Sequence, residues 1–477
     1  MGKYNSLGRN IFLVFLGNVT SKIVLLGMLP FYTEWLSRAD YGTTDIITVY
    51  VTLLLSILTC CIADAIFVFP KGQSLDNQQK YFSSGLFFSF ATLLLSLLIL
   101  LLIRQYLFVN ISNSFTKYFW FIWGLIVVTF LQLFLQQFLR SVNKITEYAI
   151  SGIVLSLAIV ISSFLLVPKY GLKGYLYAQI ISLFASFLYA ALSIKFFRYF
   201  HISKIDFSTC KEMLKYSVPL IPNGIMWWFV SAFNRPVIEA NLGIDAVGLF
   251  AVSNKLPSVL IVLFSSFFLS WQISVVEEFK KEGYVIFYNK ILRFFSLLLI
   301  FTSCFITIFS KDIISILVDE KFWDAWIYVP ALAFAMFFSS ISGFVGTNFL
   351  ASRKSKYFFY SSFWGAAISI LLNFLLIPHI GLWGAAIAVV VSCIAMSIFR
   401  IVYSWQYAPI THCSKYIIMI LINLLLVITI PLISVMWQKM MLFIISSLLF
   451  GFINKDLFHD IKKWWNDTIS YKYKSVF

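Results

Sequence analysis

Charged side chains are rare in this sequence, and the few that interrupt its apolar runs are the groups able to do chemistry. Lys22 stands in the first run with Asn18 one turn before it on the same helical face. Asp45 and Asp64 interrupt the second run. Arg235, Glu239 and Lys255 stand in two later ones, flanked by Asn234 and Asn254. An ammonium at mid-bilayer costs about 2.5–3.5 kcal/mol on insertion scales, so each such cation needs a wet cavity, an anionic cargo or a carboxylate partner. For Lys22 that partner can be Asp45 or Asp64; for Arg235 it can be Glu239, one turn on. Lys255 lies roughly 12 Å into its run, too deep for easy snorkelling, with no acidic residue one turn away. Three such cations suit a phosphate or pyrophosphate, and amide side chains suit sugar hydroxyls. Gln132 and Gln136 share a face of the fourth run and fit the second role, or else bond helix to helix. A carboxylate in such a cleft can carry a proton or bind sodium; Asp64, Asp45 and Glu239 are the candidates, with Asp64 in the inner half of its run.

The elements that position these groups follow from composition. With 477 residues, 61% hydrophobic and 12% charged, the chain is far more apolar than a soluble domain. Its runs are long enough for helices and lack the alternation of a membrane β-barrel, so an all-α polytopic membrane protein is expected. Hydropathy predicts about fourteen spans, near 10–33, 44–69, 81–103, 118–139, 148–167, 174–194, 216–240, 247–273, 291–310, 328–351, 357–377, 383–405, 416–436 and 440–453. The first is too long for a cleaved signal and has no A-x-A site. If the N-terminus is cytosolic, 25 of the 36 lysines and arginines fall inside and 8 outside, with Lys22, Arg235 and Lys255 in spans. That bias predicts both termini inside. It explains the net charge of +16 as topology and contact with anionic lipids, which excludes nucleic acid. The tail from Asp456 to Asp467, with Trp464 and Trp465, reads as an interfacial segment.

The two sides of the long basic connection 195–215 echo one another. Phe164–Ser182, FLLVPKYGLKGYLYAQIIS, aligns with Phe374–Ser392, FLLIPHIGLWGAAIAVVVS, at an offset of 210, pairing Gly171 with Gly381 and Gly174 with Gly384. At an offset of 206, Pro30 meets Pro236, Leu36 meets Leu242 and Gly42 meets Gly248. The expected organisation is therefore an N-terminal six-helix bundle (1–194), a cytosolic linker (195–215), a second six-helix bundle (216–405), and an extra helix pair with a cytosolic tail (406–477). Six spans per copy, an even number, give parallel repeats whose facing bundles enclose a cleft, the usual place for a transported substrate.

Enzyme chemistry finds no support. There is no P-loop, no G-x-S-x-G and no H-E-x-x-H. The cysteines and histidines show no metal-ligand spacing, so no metal, cofactor or catalytic residue is expected.

In its ordered series of motifs, LSRADYGTTD at 36–45, IADAIF at 62–67, LKYSVPLIPNGI at 214–225 and FNRPVIEANLGIDAVGLFAVSNKL at 233–256, with the two P-x-x-G-L-x-G turns, the chain resembles the polysaccharide (O-antigen) flippases of the Wzx type. These belong to the multidrug/oligosaccharidyl-lipid/polysaccharide exporter superfamily. The resemblance implies a flippase of the bacterial inner membrane in polysaccharide and lipopolysaccharide biosynthesis. It would carry an undecaprenyl-pyrophosphate-linked oligosaccharide to the periplasmic leaflet by alternating access, coupled to protons or sodium, alongside a glycan polymerase and a chain-length regulator. Lys22, Arg235 and Lys255 occupy positions suited to a cationic lumen of that kind. Two departures stand out: Asn234-Arg235 replaces a frequent Asp-Arg, and Val68 and Phe69 stand where an Arg often follows the Asp64 position. A drug/ion antiporter of the same superfamily is the alternative, disfavoured by the cations. A membrane polymerase or ligase is less favoured still, because the outer loops are short.

Overall fold

The computed structural model describes residues 24, 26–103, 113–279, 281–352, 354, 356–433 and 435–456. Asn18, Lys22 and most of the interfacial tail lie outside them. Nineteen α-helices are described. They are α1 (Leu29–Trp35), α2 (Arg38–Leu58), α3 (Ile62–Val68), α4 (Leu75–Ile103), α5 (Asn113–Lys117), α6 (Phe119–Ser141), α7 (Ile145–Ile194), α8 (Phe207–Ser217), α9 (Ile221–Ser231) and α10 (Asn234–Leu242). They continue with α11 (Ile244–Ser253), α12 (Ser258–Glu278), α13 (Tyr284–Ile308), α14 (Ser310–Leu317), α15 (Val329–Ala351), α16 (Lys356–Ile380), α17 (Leu382–Ser404), α18 (Cys413–Thr429) and α19 (Met436–Ile453).

Among the described residues ten helices are long and apolar enough to cross a membrane, and an eleventh crossing results if α11 and the start of α12 form one broken span. Several expected spans differ from the hydropathy reading because backbone breaks interrupt the apolar runs. The run 44–69 divides at residues 59–61, where Cys60 and Cys61 are both left-handed (φ 51 and 52). The run 216–240 divides between α9 and α10, and the run 247–273 divides at residues 254–257. Conversely, 148–167 and 174–194 belong to one 50-residue element, α7. At 1.5 Å per residue it would extend about 75 Å, more than twice a hydrocarbon core. It instead turns at Gly171 (φ 52, ψ −128).

The chain forms two compact units. The first takes in Met1–Val252, Leu317–Phe322 and Ala366–Ala388. Its core is aromatic: Phe82 of α4 packs on Phe138 of α6 with ring centroids 4.6 Å apart, and Phe130, Phe134 and Met213 are fully enclosed beside them. Leu94, Leu98 and Leu102 form an exposed i, i+4, i+8 stripe on α4, the signature of a helix face directed to lipid.

The second unit takes in Ser253–Ile316, Trp323–Gly365 and Val389–Phe477. Trp271 stacks on Phe344 at 4.3 Å while its indole N–H donates to Thr347 Oγ1 at 3.1 Å, which satisfies the polar end of an otherwise apolar ring. The last helix pair is tied to this unit by polar contacts. Asn423 of α18 donates to Ser303 Oγ on α13 at 2.9 Å, and the buried Lys439 of α19 pairs with Asp312 of α14 at 2.5 Å.

Both P-x-x-G-L-x-G turns adopt the same geometry, within the first unit. Gly171 and Gly381 have φ of 52 and 62, a conformation that side chains rarely adopt. Three residues on, a Cβ at Gly174 would collide with the Leu166 carbonyl, and one at Gly384 with the Leu376 carbonyl. Leu166 and Leu376 differ by the same 210 positions, so the echo in sequence corresponds to one local fold made twice.

Candidate functional site

Three close contacts of the first unit fall on one stripe of α2. Gly42, Asp45 and Val49 lie at i, i+3 and i+7, one above another on a single helical face. Each meets the segment formed by α9, α10 and α11.

At the first level, α2 and α11 cross with no side chain between them. A Cβ on Gly42 would come inside 3 Å of the Ile244 carbonyl oxygen and the Gly248 nitrogen, and one on Gly248 inside 3 Å of the Arg38 carbonyl oxygen. Ile244 and Arg38 differ by 206 positions, as do Gly248 and Gly42. The contacts thus exchange under the repeat offset, as residues do across an isologous interface.

One turn on, the Arg235 guanidinium is buried and two of its three nitrogens are engaged. Nε donates to Asp45 Oδ2 at 3.1 Å, and Nη1 to Asn234 Oδ1 at 2.7 Å and to the Ser231 carbonyl at 2.8 Å. The Phe250 ring lies 5.3 Å from the guanidinium carbon. Sequence spacing offers Glu239 as the internal partner of Arg235, but although both stand on α10 the guanidinium reaches across to Asp45 of α2 instead. Glu239 accepts from Ser114 Oγ at 2.6 Å. Asn234 is buried, and its Nδ2 has no hydrogen-bond acceptor among the described residues. A turn further along α2, the Trp228 indole N–H donates to the Val49 carbonyl at 3.0 Å.

The remaining sequence-derived residues lie apart from that stripe. Gln136 donates to Ser151 Oγ at 3.2 Å, a helix-to-helix bond between α6 and α7, and Gln132 is buried. Asp64, on the short α3, has an exposed side chain and no ion pair among the described residues. In a membrane such a carboxylate needs water beside it.

Lys255 and Asn254 belong to the second unit and occupy the break between α11 and α12. The sequence reading placed Lys255 inside a continuous span; residues 254–257 instead form turns, with Pro257 capping α12 and Ser258 Oγ donating to the Lys255 carbonyl at 2.6 Å. Irregular backbone within an apolar stretch is tolerated where it is enclosed by protein or lines water, so the break and the cation mark the same place.

One buried cation is not singled out by the sequence. Arg400 is 2% exposed within α17. Its donors reach Ser361 Oγ at 2.9 Å, Ser342 O at 3.0 Å and Ser362 Oγ at 3.3 Å, and the Phe358 ring lies 4.0 Å away. It joins α15, α16 and α17 without a carboxylate among the described residues. Its hydroxyl and carbonyl partners are far off in sequence, so no spacing signalled them.

An open cleft of about 360 Å³ also lies in the first unit, lined in part by Asp40, Thr43, Ser114, Lys117, Tyr118 and Glu239.

Crossing-length helices that break where their polar groups gather, in a duplicated order, define an all-α polytopic membrane protein. The chain belongs to the polysaccharide biosynthesis protein family, whose sequence profile matches residues 7–271. A structure of the lipid II flippase MurJ in an inward closed conformation superposes with a TM-score of 0.74 at 15% identity, covering 94% of this chain and 99% of that one. An inward-facing multidrug resistance MATE transporter of the MOP superfamily gives 0.61 at 13% identity, covering 82% and 94%. A variant of the Vibrio cholerae MATE transporter VcmN gives 0.61 at 14% identity, covering 85% and 98%. No curated protein matches in sequence.

Proposed function

We propose that the protein is a flippase that moves an undecaprenyl-pyrophosphate-linked oligosaccharide repeat unit, of the O-antigen class, from the cytosolic to the periplasmic leaflet of a bacterial inner membrane. It works by alternating access, coupled to a proton or sodium gradient through Asp64. Its repeats are 1–194 and 216–405, with 406–477 as an added helix pair and tail. The observation that carries the reading is Lys255 on the irregular backbone between α11 and α12. Irregular backbone within an apolar stretch lines water or protein, and a cation carried on it suits an anionic cargo. The family, and a fold shared with a lipid II flippase, support the same assignment.

Arg235 has a different part in this scheme. With Asp45, Asn234 and the Ser231 carbonyl on its donors, it is a latch between the two repeats, and the cargo's phosphates compete for it only when the latch opens. Proteoliposomes loaded with fluorescent lipid-linked glycan test the assignment. Lys255→Ala abolishes flipping and Lys255→Arg retains a measurable fraction; wild-type flipping in Lys255→Ala removes that residue from the mechanism.

A further inference from the structure

The cleft at Ser114 has a repeat-related counterpart, and the counterpart is filled. At the 206 offset Thr33 corresponds to Glu239, and Ser37 and Arg38 correspond to Gly243 and Ile244. Around Thr33 the crevice is closed by the chain's own segment 317–322. The Asp319 N–H donates to Thr33 Oγ1 at 3.2 Å, Lys321 Nζ donates to the Glu34 carbonyl at 2.9 Å, and Arg38 Nε donates to the Lys321 carbonyl. Phe322 is fully buried there, edge-on to Tyr41 with centroids 5.6 Å apart.

Around Glu239 the covering segment is α5, anchored through Ser114, and among the described residues the cleft is open. The open copy carries a carboxylate where the filled copy has threonine. The exposed Lys117 ammonium and the half-buried Tyr118 ring stand in its wall, and Asp40 holds its place at the start of α2 through the Ser37 hydroxyl at 2.7 Å. The same architecture made twice, once plugged with a phenylalanine and once left open and polar, separates what the fold requires from what a ligand requires.

We propose that this cleft is a sugar subsite, holding one residue of the glycan at the outer end of the transport path; the proposal rests on the flippase reading above. Its chemistry selects a neutral, hydroxyl-rich ring. Carboxylates accept two bonds from neighbouring hydroxyls, an ammonium donates in return, the Thr43 oxygen accepts another because its own proton goes to the Ala39 carbonyl, and a tyrosine ring covers the apolar face of a pyranose. Two carboxylates against one ammonium repel a pyrophosphate, so the lipid headgroup is held elsewhere. The volume falls in the range of small-ligand sites.

Flipping of two substrates in proteoliposomes tests the subsite: undecaprenyl-pyrophosphate carrying a single sugar, and the complete lipid-linked repeat unit extracted from the native cells. Tyr118→Ala and Lys117→Ala are expected to slow the complete unit by about tenfold, the loss of one net hydrogen bond or ring contact, and to leave the single-sugar lipid within twofold of wild type. Tyr118→Phe, which keeps the ring, is expected to retain both rates. Equal loss on both substrates makes the residues structural and overturns the proposal, as does unchanged flipping of the complete unit. Selective loss of tetraphenylphosphonium binding with glycan flipping intact makes the cleft a cation site and also overturns it. Failure of the wild-type protein to flip either substrate sinks the flippase reading itself.

Discussion

The glycine crossing makes a quantitative prediction about how the protein opens. Gly248→Ala places a methyl inside 3 Å of the Arg38 carbonyl oxygen, where an ordinary contact is 3.4–4 Å. The obstructing atoms are backbone, so no rotamer change relieves them, and α2 and α11 must separate by roughly 1 Å or stay overpacked. Overpacking of that kind costs about 1–3 kcal/mol. If the crossing forms only while the outer end is closed, the cost falls on that state alone and shifts the equilibrium toward the open state by about five- to hundredfold. Val49 lies two turns along the same stripe and is 7% exposed, so it reports the opening. In a background with the six cysteines replaced, Val49→Cys should react with a membrane-impermeant maleimide about five- to hundredfold faster when Gly248→Ala or Gly42→Ala is added. Unchanged labelling in protein that inserts and melts as the parent does would show that the crossing is a fixed scaffold contact, and the closure would have to be sought elsewhere.

Other expectations concern the latch, the turns and the coupling. Asp45→Ala strands the Arg235 guanidinium and should destabilise the detergent-solubilised protein by about 3 kcal/mol, with Asp45→Ala/Arg235→Leu recovering part of that loss in a thermal melt; additive losses would show that the two side chains are not coupled. Gly171→Ala and Gly381→Ala should each cost about 1–2 kcal/mol, because alanine must take a left-handed φ, and a smaller melting shift at one site would mark that turn as less constrained. Asp64→Asn should leave downhill flipping intact while removing its dependence on a proton gradient; dependence that survives the substitution assigns coupling to another group.

Membrane class, helical architecture and the duplication were legible in the sequence because they depend on quantities that accumulate along it. Twenty apolar residues in a row exclude every structure that leaves backbone groups unpaired in lipid, and a repeated P-x-x-G-L-x-G specifies the same turn wherever it occurs. The rarity of charge in apolar runs likewise singled out Arg235, Asp45 and Lys255 before any geometry was known.

Partnership was decided by tertiary structure. Whether Arg235 faces Glu239 or Asp45 depends on which helix packs beside α10, since Glu239 is one turn away on the same helix and Asp45 is brought up by α2. Lys255 stands on a turn because the backbone breaks between α11 and α12, a local departure from helical geometry that hydropathy averages away over its window, and Arg400 is a buried pin because its oxygens come from two other helices. Glycine positions could be read as turns, yet that Gly42 and Gly248 touch each other follows only from how α2 and α11 cross. Local backbone preference is written residue by residue, whereas contacts between distant residues arise from the packing of whole helices, and that packing set which charges are latched and which cleft stays open.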